Sequence, residues 1–223
     1  MRRILILMAS LAVLVMAVGC GNSEPQTKQD SKQPAIAASP TPSAMEKVER
    51  EISRGRFKEA ITETYGISNI SEQDEALKKV MDAAIKFEEF NEAYNAAHLI
   101  RESKLKDQGL EAVIAAALVR DQFDTASEAA QRIPGKRGQE LLVQIMNAAE
   151  DRGKFYQAMW AAGKIENPSQ REAAVKELVN SAAAQGYSAE QIYWNAYSSE
   201  TTRTIVFQVM KLNDPTWTPP QGR

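Results

Sequence analysis

The sequence predicts an all-α solenoid of about five helix-pair repeats closed by a C-terminal capping helix, and three observations predict it. First, an aromatic residue recurs at Phe57, Phe90, Phe123, Phe155 and Tyr187, at intervals of 33, 33, 32 and 32 residues. Three residues after the first four stand Ala60, Ala93, Ala126 and Ala158; ten residues after stand Ile67, Ile100, Ile133 and Ile165, with Tyr197 at the fifth. A period near 33 is the sequence signature of stacked helical repeats. Second, apolar residues preceding each aromatic recur at helical spacing: Leu77, Val80, Met81, Ala84 and Ile85, then Leu110, Val113, Ile114, Ala117 and Leu118, then Leu142, Ile145, Met146 and Ala149. Third, a narrower stripe follows each aromatic, as in Phe90, Ala93, Ala97 and Ile100. Two amphipathic stripes per period make two helices per repeat.

The elements follow in chain order. Arg2 and Arg3 precede an uncharged run over residues 4–18 and then Gly19-Cys20. A positive start, a short apolar stretch and a small residue before the cleavage point form a secretory signal peptide over residues 1–19. The run falls short of the about 20 residues a membrane-spanning helix needs. Ala17-Val18-Gly19-Cys20 resembles the lipobox of bacterial lipoproteins, with Ala17 where that family most often has leucine. The resemblance implies that the chain's one cysteine, Cys20, is acylated and becomes the mature N-terminus. Acyl chains contribute about 0.8 kcal/mol per buried CH₂, and two chains anchor stably. Gly21 follows, rather than the aspartate that holds many such lipoproteins at an inner membrane, so the family rule points to an outer membrane where the cell has two.

Residues 20–43 carry Pro25, Pro34, Pro40 and Pro42 among Ser, Gln, Thr and Lys, with no aromatic. Such a composition buries too little apolar surface to offset its ordering entropy, and it reads as a tether. The solenoid spans residues 44–212. Residues 45–54 supply a first helix with Val48 and Ile52 inward. In the next unit the first helix is read over Glu75–Lys86 and the second over Asn91–Glu102, with Ser71 and Asp74 as a loose start signal. In a later unit Asn167-Pro168-Ser169 with Glu172 combines an early helix proline with a capping box. That unit's stripe weakens to Ala174, Leu178 and Ser181, with Glu177 where the others have Val or Ile. Ser188 with Gln191 makes a second box. A capping helix over residues 201–212 carries Ile205, Val206, Val209 and Met210, and residues 213–223 form an extended tail.

The turn sequences Gly-Arg-Phe57-Lys-Glu-Ala60, Glu-Phe90-Asn-Glu-Ala93, Gln-Phe123-Asp-Thr-Ala126 and Gly-Lys-Phe155-Tyr-Gln-Ala158 resemble those of the tetratricopeptide-repeat superfamily over residues 44–198. That resemblance implies a right-handed superhelix whose first helices line the concave side. The family has a small residue where this chain has Val48, Met81, Ile114, Met146 and Leu178, so its architecture carries over and its peptide-binding residues do not. On that frame the exposed first-helix positions are Glu75, Lys78, Asp82, Lys86, Gln108, Glu111, Asn147 and Asp151, the candidate partner-binding residues. Their charges are mixed, so a solvated face is the alternative.

Composition narrows the chemistry. Removal of Arg2 and Arg3 lowers 27 basic residues to 25 against 29 acidic ones, a net charge near −4. A nucleic-acid binder would show a basic stripe instead. After acylation no thiol remains for a disulfide. One histidine, His98, and no free cysteine leave no soft-metal ligand set, and no phosphate-cradling loop or nucleophile motif is present. The sequence therefore predicts no catalytic residues, no metal and no cofactor. Glu88-Glu89 reads as a solvated turn. The aromatics Tyr187, Tyr193, Trp194 and Tyr197 either seal the end of the array or offer a hot spot. Trp217 with Pro219-Pro220 either docks into a partner or folds back. The expected function is a lipid-anchored envelope scaffold or adaptor that binds another envelope protein. The alternative is a lipoprotein binding a small ligand or glycan in a deep apolar pocket of the concave groove.

Overall fold

The computed structural model describes residues 42–196 and 199–220. The signal peptide, Cys20, nearly all of the tether, Tyr197 and the last three residues lie outside the described residues. Among those described there are eleven α-helices and no strand: α1 (Ala44–Ser53), α2 (Phe57–Thr64), α3 (Ile70–Lys86), α4 (Phe90–Leu99), α5 (Ser103–Val119), α6 (Phe123–Arg132), α7 (Gly135–Asp151), α8 (Phe155–Gly163), α9 (Pro168–Ala184), α10 (Ala189–Asn195) and α11 (Glu200–Asn213). Each odd helix from α1 to α7 packs chiefly on the even helix after it, and each even helix packs on the next odd one. The chain thus advances hairpin by hairpin, as a helical solenoid does.

The sequence period is written into the turn of each hairpin. Every first helix ends in a Schellman motif, in which the sixth residue's N–H closes back on the first residue's carbonyl. The bonds are Arg56 N to Glu51 O, Glu89 N to Ala84 O, Gln122 N to Ala117 O, Lys154 N to Ala149 O and Tyr187 N to Ala182 O, all 2.8–3.0 Å. Such a motif needs one residue at positive φ, and it falls on Gly55, Glu88, Asp121, Gly153 and Gly186. Two residues on, Phe57, Phe90, Phe123 and Phe155 open the second helix and are buried. Ala60, Ala93, Ala126 and Ala158 are fully buried one turn later, where a larger side chain would push neighbouring helices apart. Ile100, Ile133 and Ile165 close the second helices from inside the core, while Ile67 is half-buried.

Expected boundaries shift in the second unit, for local reasons. α3 starts at Ile70 because Asn69, not Ser71, is the N-cap, its side chain accepting from the N–H groups of Ser71 and Glu72. Asp74 is therefore free to turn inward. It is 3% exposed and accepts from the N–H groups of Arg101 and Glu102, both at 2.9 Å, fastening α3 to the exit of α4. In α9, Asn167 caps by accepting from the Gln170 N–H and Pro168 opens the helix, while Glu172 pairs with Lys176 rather than completing a box. Ser188 and Gln191 form the full capping box.

The fifth unit departs from the sequence frame by one residue. Helix starts and positive-φ residues place α9 33 residues after α7, whereas Tyr187 follows Phe155 by only 32. Glu177 is accordingly the counterpart of exposed Gln144, not of Ile145. The buried stripe of α9, Ala174, Val175, Leu178, Val179 and Ala182, matches Leu141, Leu142, Ile145, Met146 and Ala149 position for position. Tyr187 lies before α10 instead of opening it, and packs edge-on to Phe155 at 4.7 Å. α9 packs on α11 as extensively as on α8, and in α11 Ile205, Val206, Val209 and Met210 are buried while Thr201, Thr204 and Gln208 face solvent. That polar outer face is what a terminal cap requires.

Candidate interaction groove

Non-repeating side chains tie adjacent hairpins together along three rows. Along the turns, Arg120 pairs with Glu88, and Arg152 lies 3.0 Å from Asp121, donates to the Leu118 carbonyl and covers the Phe123 ring at 5.4 Å. Glu88 is thus one end of an ion pair between units, not merely a solvated charge. Along the second helices, Thr125 bonds Asn91, Arg132 donates to the Tyr94 hydroxyl, and Lys164 reaches Glu128 at 2.7 Å while lying 4.4 Å above the Trp160 ring. Along the first helices, Lys79 pairs with Glu49, and Arg137 grips Glu111 with two bonds of 2.7 and 3.1 Å. The Arg137 guanidinium holds the Glu111 carboxyl below the usual carboxylate range.

The eight predicted first-helix residues do not converge. Glu75, Lys86, Gln108 and Asp151 are exposed. Lys78 and Asp82 pair with each other at 2.6 Å along α3. Glu111 is engaged by Arg137 and bridges α5 to α7. Asn147 borders a groove of about 590 Å³ between α7 and α9. Val143, Met146, Ala173 and Ala174 give the groove an apolar floor; Gln139, Gln144, Asn147 and Gln170 rim it with carboxamides, and Lys136, Glu140 and Glu177 supply charge. Its volume suits a small ligand, but it is open to solvent rather than the closed, apolar chamber expected of such a site.

Helix register explains why the groove is there. At the joint between α3 and α5, Gly109 allows close approach, since a Cβ on it would lie 2.9 Å from the Met81 sulfur. At the next joint, Leu141 is buried on α7 and Arg137 bridges to Glu111. At the α7–α9 joint the counterparts of Leu141, Arg137 and Glu111 are Ala174, Gln170 and Val143. The large side chain is reduced to a methyl group and the ion pair is gone. Reading these substitutions from sequence requires the corrected frame of α9.

Two further features have structural roles. Tyr193, Phe207 and Trp217 form an aromatic cluster with centroids 5.6 Å (Tyr193–Trp217) and 6.1 Å (Phe207–Trp217) apart. Asp214 makes the turn that brings Trp217 back, its carboxylate accepting from the Thr216 N–H and hydroxyl. His98 stacks on Tyr94 at 5.9 Å with its Nδ1 buried and unpartnered. Burial, and then the charges of Arg132 and Lys106, hold its pKa below the usual histidine value.

Among the described residues no group of three or more His, Cys, Asp or Glu side chains is gathered as a metal site would need, and no helix is long and apolar enough to cross a membrane. Compared with protein-family models the chain matches none, and a comparison with curated proteins finds no match.

Proposed function

We propose that the protein is a lipid-anchored scaffold or adaptor of the bacterial cell envelope, which binds another envelope protein through a right-handed, tetratricopeptide-like array of about five repeats. The observation that carries this reading is the division of labour in the helix pairs. Most of the repeating aromatic, alanine and isoleucine positions are buried, with Ile67 and Tyr187 half-buried, and the first helices turn many non-repeating polar side chains to solvent. A surface of that kind, long relative to its core, is how stacked repeats hold partners. The lipobox-like residues supply the address: an acylated Cys20 on a membrane surface, with the periplasmic side of an outer membrane favoured where the cell has two. The tether then sets the reach, about 25–30 Å for a flexible coil of this length.

Cell fractionation tests the anchor. The full-length protein is expected in the membrane fraction, and Cys20→Ala is expected to move it to the soluble fraction. Continued membrane attachment of Cys20→Ala contradicts lipid anchoring.

A further inference from the structure

We infer that the groove between α7 and α9 takes an aliphatic side chain of a protein partner together with a neighbouring Lys or Arg, the partner segment completing a joint that this chain leaves unfilled. The inference deepens the scaffold reading and rests on it. Its template is inside the molecule. One joint earlier, the same positions are occupied by Leu141 and, one helical turn before it, Arg137, whose guanidinium bonds Glu111. On α7, then, a buried aliphatic side chain stands one turn after a cation that reaches across to the preceding first helix.

At the α7–α9 joint the groove remains and those side chains are missing. Ala174 leaves apolar floor between Met146 and Val143, and Val143 is 38% exposed. The charges at the rim are suited to a cation. Glu140 is paired with Lys136 at 3.3 Å, whereas Glu177, on the opposite wall, has no ion-pair or hydrogen-bond partner among the described residues. The lining is thus net acidic, with one free carboxylate beside an apolar floor. Gln144, Asn147 and Gln170 offer both donors and acceptors at the rim, as the backbone of an incoming segment would require. A purely apolar ligand would leave Glu177 unanswered, and an acidic one would meet it at close range.

Site-specific photocrosslinking of the full-length chain in the cell that makes it tests the assignment. A benzophenone amino acid is placed at Asn147 on the groove rim or at Tyr156 on the second-helix surface, and crosslinked partner peptides are mapped by mass spectrometry. The expected result is an adduct at Asn147 whose partner segment carries Leu, Ile, Val or Met within four residues of Lys or Arg. Glu177→Lys should lower its yield at least tenfold. Ala174→Leu, which puts on the floor the side chain that Leu141 carries on α7, should do the same with unchanged helical circular dichroism. An adduct at Asn147 that survives both substitutions, or whose partner segment is acidic or is not protein, overturns the inference. Adducts at Tyr156 with none at Asn147 overturn it while leaving the scaffold reading standing. No adduct at either position contradicts both.

Discussion

Glu88 and Asp121 sit at positions that the fold would rather give to glycine. Their counterparts in the other turns are Gly55, Gly153 and Gly186, and all five adopt positive φ. A non-glycine residue there costs about 1–2 kcal/mol in backbone strain. The ion pairs with Arg120 and Arg152 are solvent-exposed and offset only part of that, since exposed pairs contribute about 0–1 kcal/mol. Gly153 offers the cleaner measurement, because a Cβ added there meets no atom within 4 Å. Gly153→Ala should lower stability to urea by about 1 kcal/mol from backbone strain alone, and Glu88→Gly should raise it by up to about 1 kcal/mol. An unchanged midpoint for Gly153→Ala would mean that this turn does not hold positive φ. The same scale shows the limit of sequence reading. Asp74 looked like a helix-start residue, yet it is a buried acceptor for two N–H groups 27 and 28 residues away. Short-range patterns carry no trace of that distant partner.

At the scale of elements, the aromatic that opens each second helix is the keystone of its hairpin. Phe123 is 1% exposed and its ring is roofed by Arg152. Phe123→Ala should cost about 3–5 kcal/mol, the range for removing a buried Phe, seen as a large fall in the thermal midpoint. Tyr187→Ala should cost distinctly less, because Tyr187 is half-buried and no longer opens its helix. Equal losses would argue that the fifth turn is built like the others. Most elements were legible because one physical requirement, an apolar stripe at helical spacing, recurs at constant period. The fifth unit misled the sequence frame because its aromatic comes one residue early while α9 keeps the full period. Glu177 then looked like a defect in the stripe, when Val175, Leu178 and Val179 supply an intact one.

Over the whole molecule, repeating and non-repeating residues divide the work in three ways rather than two. Repeating positions form the core. Many non-repeating ones, among them Glu49 with Lys79, Thr125 with Asn91 and Lys164 with Glu128, join one hairpin to the next. What is left for recognition is a smaller set, and Asn147, a predicted contact residue, borders the groove between α7 and α9. The groove itself was not legible, because it depends on paired side-chain sizes across a joint: Leu141 against Ala174, and Arg137 with Glu111 against Gln170 with Val143. No local window of sequence contains those comparisons. The proposed hold of the array on an envelope protein at the membrane is tested most directly by co-purification. Full-length protein extracted in mild detergent from crosslinked envelopes should bring down one envelope protein in near-stoichiometric amount, with crosslinks on α3, α5, α7 and α9. Recovery of no protein above the background of an untagged control, or crosslinks confined to the tether, would contradict it.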